Sequence, residues 1–211
     1  MRAKVLLVTG FARFPGAPFN PTERIVAALG GGFARRLARL GWRLERRILP
    51  VVWTDLPGEL ARLDAALRPD AVLHLGLAAR RRVVTVETRA HNRRRPLSCD
   101  ADGRRADAVT IEPGGASTRP ARADAKRLVV AMGRATPASA SNDAGAYLCN
   151  LALWESLGRG GARPVVFVHV PGLRGTSARR GARKPGIADM IAAARLACLG
   201  LIAQRRAFTR S

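Results

Sequence analysis

Cys149 is the residue around which chemistry can be arranged in this sequence. It follows a run of small and turn-forming residues, 142–146, and it precedes an apolar pattern with helical spacing, so we expect a loop that leads into a helix with the thiol in its first turns. The free N–H groups and the dipole at a helix start stabilise an anion, which can lower a cysteine pKa below its usual value of about 8.5. The pattern therefore favours a reactive thiolate at Cys149.

A thiol nucleophile also needs a base and a group that orients the base. His169 follows a predicted apolar strand over residues 165–168, and Glu87 lies at the end of a predicted strand over residues 83–86. Because open α/β sheets bind ligands at the carboxyl ends of their strands, His169 is a candidate general base and Glu87 a candidate partner for it. Each residue has a structural alternative: core filling for Cys149, an ordinary hydrogen bond for His169 and an arginine ion pair for Glu87.

The other cysteines and histidines give weaker signals. Cys198 falls on the predicted buried face of the last helix, Cys99 lies in a polar loop, and His74 lies within a predicted strand. Three cysteines without CxxC spacing form no even disulfide set, which favours a reducing compartment. The histidines are widely spaced, so we expect neither a metal ion nor another cofactor.

The apolar pattern predicts one α/β domain over residues 1–211. With 47% hydrophobic residues, the chain can bury a full core. Strands are predicted over 4–9, 43–52, 71–75, 82–88, 137–141 and 165–168, and helices over 21–29, 33–40, 56–67, 123–132 and 187–204. Because strands and helices alternate, we expect a parallel sheet.

The sequence also predicts a helix cap, a hairpin turn, a mobile segment and the buried face of the last helix. Asn20 is expected to cap a helix that has Pro21 at its first position, with Glu23 returning a capping bond. Asp102 and Gly103 are expected to form a hairpin turn, and residues 172–186, which are rich in glycine and arginine, are expected to be mobile. The last helix is expected to bury a face made of Ile191, Ala194, Leu196, Cys198, Leu199 and Ile202.

The net charge of +22 suggests a polyanionic partner, but its distribution argues against a specific one. Arginine carries nearly all of the positive charge in short scattered clusters, with few aromatic residues between them on which bases could stack. We therefore expect no specific nucleic acid, and only salt-sensitive attraction to polyanions. No apolar run reaches the roughly 18 residues of a membrane span and no signal-peptide pattern is present, so we expect no membrane association and a cytoplasmic location.

Several short motifs follow one another in a recognisable order over residues 4–171. They are Val8-Thr9-Gly10-Phe11 with Phe14, Asn20-Pro21-Thr22-Glu23-Arg24, Gly76-Leu77-Ala78 followed by Arg81, Val86-Glu87 with Arg89 and Asn92, Asn142 with Ala144-Gly145, Tyr147-Leu148-Cys149-Asn150, and Phe167 with His169-Val170-Pro171. In this combination the chain resembles the pyroglutamyl peptidases, cysteine peptidase family C15.

The resemblance implies a three-layer α/β/α sandwich with a mostly parallel, open, twisted sheet. It implies a catalytic triad of Glu87, Cys149 and His169 that removes an N-terminal 5-oxoproline from peptides through a thiol acyl-enzyme. It places Phe11 and Phe14 beside the lactam ring and makes Arg81, with backbone N–H groups near the thiol, a candidate for oxyanion stabilisation. The expected partners are N-terminally pyroglutamylated peptides and further copies of the chain, in a dimer or a tetramer.

The sequence departs from the family pattern around the expected pocket. Arg13 and Pro15 replace a proline and a glycine, Arg80 replaces a glycine, and Gly172 stands where an aromatic residue is usual. These changes keep two alternatives open. One is an amidase of the same fold that acts on another small acyl or lactam substrate, and the other is a catalytically idle homologue that binds polyanions.

Overall fold

The computed structural model describes residues 2–14, 17–173 and 184–207. The elements in chain order are β1 (Lys4–Phe11), α1 (Pro21–Ala28), α2 (Gly32–Arg39), β2 (Trp42–Leu49), α3 (Asp55–Leu67), β3 (Ala71–Leu77), β4 (Val84–Glu87), β5 (Arg89–His91), β6 (Thr118–Pro120), α4 (Ala125–Gly133), β7 (Ala138–Ser141), α5 (Leu148–Gly158), β8 (Val165–Val170) and α6 (Ile187–Ala207). Most of the predicted elements are therefore present within a few residues of the expected bounds.

The main sheet has six strands in the order β2-β1-β3-β8-β4-β7. Strands β2, β1, β3 and β8 are parallel to one another, whereas β4 runs antiparallel to β8 and parallel to β7. The mostly parallel sheet confirms the predicted fold class. The reversed direction of β4 and β7 was not predicted, nor was the separate antiparallel pair of β5 and β6.

Helices cover both faces of the sheet, as the three-layer prediction requires. Along β1 the side chains alternate, so Leu6 and Val8 join the core under α1, α2, α4 and α6, while Leu7 joins the core under α3 and α5. Phe167 of β8 is fully buried on the second face, in the same core as α5. The thiol-bearing helix thus packs directly on the sheet.

The start of α1 follows the prediction only in part. The Asn20 side chain accepts a hydrogen bond from Thr22 N at 3.1 Å and Pro21 begins the helix, as expected. Glu23 returns no capping bond and instead lies 3.9 Å from Arg13. Thr22 makes a different contact: its Oγ1 accepts a hydrogen bond from Phe11 N at 3.0 Å, which ties the helix to the end of β1.

Residues 187–205, within α6, are long and apolar enough to cross a membrane by length and composition alone. The helix contacts α4 and α1 and covers the sheet, so packing accounts for its apolar character. The predicted buried face was partly wrong, because Ile191, Leu196 and Leu199 are only partly buried. Among the described side chains of this helix, the buried apolar residues are Met190, Ala193, Ala194, Ala197, Cys198, Leu201 and Ile202.

The region after β5 is irregular. Gly103 adopts a φ of 78°, which forms the expected turn, but no strands flank it and the predicted hairpin is wrong. The buried Asp100 carboxylate holds this turn by accepting from Asp102 N and Arg104 N, and it also accepts from Trp53 N. The segment expected to be mobile, 172–186, lies mostly outside the described residues.

Arginine side chains bind the carboxyl ends of several helices. Arg46 donates to two carbonyls at the end of α1, Arg122 to Ser156, Leu157 and Arg159 at the end of α5, and Arg2 to Arg68 just after α3. A cation is favoured there because the last carbonyls of a helix lack backbone partners and carry partial negative charge. Part of the positive charge of the chain is therefore structural.

Candidate active site

Helix α5 fixes the position of the thiol. Its N-cap is Tyr147, so Cys149 is the second helical residue, as predicted. Eight of its eleven residues are buried, which leaves the helix little freedom to move relative to the sheet. Cys149 as a whole residue is half-buried.

Gly76 of β3 makes room for the sulfur. A Cβ added to Gly76 would lie 2.9 Å from Cys149 Sγ and 2.5 Å from the Phe167 ring, closer than real Cβ atoms come to such atoms. Gly76 is also paired in register with His169 of β8. The sulfur therefore borders Gly76, and His169 is the residue opposite Gly76 on the neighbouring strand, although no hydrogen bond joins the thiol and the imidazole in the described part of the chain.

His169 and Glu87 form a buried pair. The reversed β4 lies beside β8 with Thr85 opposite His169 and Glu87 opposite Phe167, which places all four side chains on one face of the sheet. His169 Nδ1 lies 2.8 Å from Glu87 Oε1, and Glu87 is fully buried. Since an ionised carboxylate only accepts hydrogen bonds, Nδ1 carries the proton and Nε2 is left as the basic nitrogen.

Arg81 binds the same oxygen of the Glu87 carboxylate as His169. Its NH1 donates to Glu87 Oε1 at 2.5 Å, and its NH2 donates to the carbonyl of Asp143 at 2.8 Å. The guanidinium therefore ties the buried acid to the loop that leads into α5. The second oxygen, Oε2, is buried and has no hydrogen-bond partner among the described residues.

The electrostatics correct one expectation. Burial, and after it the negative charge of Glu87, raise the pKa of Cys149 to about 12 against the backbone hydrogen bond at the helix start and the charge of Arg81, which act to lower it. The helix start therefore acts in the predicted direction but is outweighed, because the thiol is surrounded by protein. This direction of the pKa shift favours a neutral thiol in the free site, whereas the helix position alone favoured a thiolate.

The pKa of His169 is also shifted in the direction that favours the neutral form. Burial lowers the pKa of His169, and the hydrogen bond and charge of Glu87 only partly restore it. A neutral imidazole at neutral pH can accept a proton, so the pair of neutral groups, Cys149 and His169, is suited to proton transfer during attack and not to a stored ion pair.

The residues expected at the pocket lie at different depths. Phe14 lines a cleft beside the site and contacts Tyr147, with ring centroids 6.0 Å apart. Phe11 ends β1, is buried, is not among the residues that line the cleft, and contacts Phe167 with centroids 6.3 Å apart. Arg81 lines the cleft wall. The cleft measures about 1430 Å³, and the buried His169 is among the residues that line it.

Asn150 was named only as part of a motif, but it has a role of its own. Its side chain is fully buried, accepts from His91 N at 2.8 Å, and donates to the carbonyls of His91 and Arg93 at 2.7 and 3.0 Å. It thereby fixes the end of β5 to the residue next to the thiol. A polar residue within an apolar helical run is the sequence signal that could have revealed it.

The remaining histidines are structural. His74 is fully buried between the hydroxyls of Thr9 at 2.7 Å and Ser156 at 2.8 Å, and burial lowers its pKa to about 3, so it stays neutral. His91 Nε2 lies 2.7 Å from the Asn142 carbonyl and steadies the loop before α5. Within the described ranges, no group of three or more His, Cys, Asp or Glu side chains could hold a metal ion.

Comparison with known proteins assigns the family. A family model described as pyroglutamyl peptidase matches residues 3–201. The chain belongs to the pyroglutamyl peptidase family. A pyrrolidone-carboxylate peptidase of Pyrococcus furiosus is 35% identical over 175 residues, which cover 79% of this chain and 80% of that protein. Another from Chromobacterium violaceum is 33% identical and covers 92% of this chain and 90% of its own length.

Solved structures agree with this assignment. The crystal structure of pyrrolidone carboxyl peptidase from Thermus thermophilus superposes with a TM-score of 0.80 at 33% identity, covering 92% of this chain and 99% of that one. The family assignment confirms the resemblance seen in the sequence motifs, and this fold agreement confirms the α/β architecture.

Proposed function

We propose that this chain is a cysteine exopeptidase that removes an N-terminal 5-oxoproline residue from peptides. The observation that carries the proposal is the contact of 2.8 Å between His169 Nδ1 and the buried Glu87 carboxylate, with His169 opposite Gly76, the glycine that borders Cys149, in a member of this family. The proposed catalytic residues are Cys149 as nucleophile, His169 as general base and acid, and Glu87 as the group that orients the imidazole.

The proposed reaction starts from a neutral thiol at Cys149 and a neutral imidazole at His169, as the directions of their pKa shifts favour. As Cys149 Sγ adds to the carbonyl carbon of the 5-oxoproline residue, His169 Nε2 takes the thiol proton and Glu87 stabilises the imidazolium. Collapse of the tetrahedral intermediate breaks the C–N bond, and the imidazolium protonates the leaving amine. Water, deprotonated by His169, then attacks the thioester and releases 5-oxoproline with the free thiol.

The substrate contacts follow from where the side chains lie. We propose Phe14 as a wall for the lactam ring, and Phe11 as support from beneath. Arg81 is proposed to form part of the cleft wall that faces the substrate, while its guanidinium binds Glu87. The N–H groups at the start of α5 have no intrahelical partners and are proposed to donate to the oxyanion, because the Arg81 guanidinium already binds other groups.

The test is hydrolysis of a chromogenic pyroglutamyl amide by the wild type and by Cys149→Ala. We expect release of the chromophore only from the wild type. An amidase with another preference would cleave acetyl or prolyl amides faster than the pyroglutamyl amide. A silent, folded wild type that binds heparin in a salt-sensitive way would instead identify an idle polyanion-binding protein.

We also propose a cytoplasmic location, self-association into a dimer or a tetramer, and no specific nucleic-acid or membrane partner. Several large apolar side chains on the surface are available for self-association: Phe19, Leu97, Val109 and Val130. Light scattering coupled to gel filtration measures the assembly directly, and a monomeric mass at micromolar concentration would exclude it.

A further inference from the structure

The cleft beside Cys149 carries positive charge that hydrolysis of an uncharged lactam does not require. Its lining includes Arg80, Arg81, Arg93 and Arg95. Arg81 pairs with Glu87, and Arg93 pairs with Asp143 at 2.7 Å. Arg80 and Arg95 are exposed, and over the described ranges neither has an ion-pair or hydrogen-bond partner for its guanidinium.

The acidic residues of the cleft do not neutralise these two arginines. The Asp100 carboxylate is buried and accepts three backbone N–H groups. Burial acts to raise the pKa of Asp143, but the N–H of Gly145 and the Arg93 guanidinium outweigh it and hold the pKa below its usual value. Both carboxylates are therefore engaged with other groups.

The backbone holds both arginines in defined turns at the cleft. Arg80 lies in the turn after β3 that is closed by a 2.9 Å hydrogen bond from Arg81 N to Ala78 O. Arg95 begins a turn closed by a 3.2 Å bond from Ser98 N. Lys184 reaches the same wall and donates to Ala79 O at 2.8 Å, so the ammonium adds positive charge beside Arg80.

The cleft has space for more than the lactam. Its volume of about 1430 Å³ exceeds the roughly 300–1000 Å³ of a typical small-molecule site. A 5-oxoproline residue carries no charge, because its amine is closed into the ring. Any ion pair with Arg80 or Arg95 must therefore be made by the peptide that leaves.

We infer that Arg80 and Arg95 bind a carboxylate of the leaving peptide, so that the enzyme prefers pyroglutamyl peptides with negative charge close to the lactam. The inference rests on the proposed function. The carboxylate can come from an acidic side chain or from the free C-terminus of a short peptide, and both sources present the same group to a guanidinium.

Four peptides separate these sources: pyroglutamyl-Asp-Ala amide, its Asn counterpart, pyroglutamyl-Ala-Ala amide and the same peptide as a free acid. Release of 5-oxoproline gives kcat/KM for each. We expect the Asp peptide to exceed the Asn peptide about five- to twentyfold at low ionic strength, through KM, with the ratio falling as salt is added. A higher value for the free acid than for its amide assigns the C-terminus as a second source.

Charge-removing variants assign the preference to the cleft. Arg80→Ala and Arg95→Ala are each expected to lower the Asp-to-Asn ratio about two- to fivefold while the Asn peptide is cleaved as before. Arg36→Ala is the matched control, because Arg36 is exposed on α2 away from the cleft lining. An equal loss in Arg36→Ala, or an Asp-to-Asn ratio of one in the wild type, would overturn the inference.

Binding gives a measure that does not depend on turnover. Calorimetric titration of Cys149→Ala with the Asp and Asn peptides is expected to show tighter binding of the Asp peptide, and a difference that shrinks in the Arg80→Ala background. A wild type that releases no 5-oxoproline from any peptide would refute the proposed function, while this titration would still decide the carboxylate preference. Equal affinities for the two peptides would refute the preference alone.

Discussion

Cys149 Sγ occupies space that Gly76 leaves open, since a Cβ on Gly76 would lie only 2.9 Å from the sulfur. The same Cβ would lie 2.5 Å from the Phe167 ring, which is fully buried. Strand β3, which lies next to the strand of His169, can therefore approach the thiol only at Gly76, where it has no side chain.

Gly76→Ala is accordingly expected to displace the thiol and the Phe167 ring. We expect kcat to fall about 10- to 100-fold, because small displacements of reacting groups are costly, and stability to fall by about 1–3 kcal/mol from overpacking. Steady-state kinetics and urea unfolding measure the two effects.

Gly58→Ala is the control for this substitution. Gly58 lies in α3, and a Cβ there would meet no heavy atom within 4 Å. We expect unchanged kinetics and a gain of about 0.5–1 kcal/mol from helix propensity. Normal activity in Gly76→Ala would show that the thiol does not depend on this contact.

Glu87→Gln tests the buried acid. The substitution keeps the side-chain size but removes the charge that supports the imidazolium, so we expect kcat to fall about 100-fold or more. Because the carboxylate raises the pKa of His169 against burial, its loss should lower that pKa further. His169 must be neutral to accept the thiol proton, so the acid limb of the kcat/KM profile should move to lower pH.

Glu59→Gln is the matched change for the acid, since Glu59 forms an exposed ion pair with Arg62 on α3. It should leave both the rate and the pH profile unchanged. An acid limb that stays in place in Glu87→Gln would exclude electrostatic support of His169 by this carboxylate.

The raised pKa of Cys149 predicts how the free enzyme reacts with alkylating agents. In a Cys99→Ser, Cys198→Ser background, the rate of modification by iodoacetamide should keep rising with pH beyond about pH 9, because the thiol pKa is raised to about 12 by burial and by Glu87. Mass spectrometry of quenched samples gives the rate. A plateau below pH 8 would instead reveal a thiolate at rest.

Asn150→Ala should loosen the ribbon beside the nucleophile. It removes three hydrogen bonds to the backbone of His91 and Arg93 and leaves those groups without partners, so we expect a loss of about 2–3 kcal/mol in the free energy of unfolding. Asn92 bonds the Glu112 backbone in a similar way at a more exposed position. Asn92→Ala should cost about 1 kcal/mol, and equal losses in the two variants would count against a special role for Asn150.

Local patterns in the sequence predict most of this fold. The apolar runs of β1, β3 and β8 and the amphipathic repeat of α3 give the elements, and Asn20 with Pro21 gives a helix start. The direction of β4 could not be predicted in this way, because a strand buried on both faces shows the same apolar run whichever way it points. Strands β5 and β6 have three residues each, too few to show a period.

Local patterns in the sequence likewise predict part of the candidate site and miss the rest. Residue type and position in the pattern were enough to single out Cys149, His169 and Glu87. The thiol pKa depends on how tightly the surrounding chain encloses the sulfur, which the helix position alone does not reveal. Similarly, nothing local indicates that the Arg81 guanidinium binds Glu87 six residues away and the Asp143 carbonyl on a different loop.

The arginines that bind helix carboxyl ends limit which substitutions can reduce the net positive charge of this protein. Replacing Arg122 or Arg46 with a neutral residue would release carbonyls at the ends of α5 and α1, and α5 carries the nucleophile at its other end. Arg36 and Arg39, exposed in the last turn of α2, are safer choices for surface engineering. Biophysical optimisation of this enzyme should therefore select arginines by the groups that they bind and not by isoelectric point.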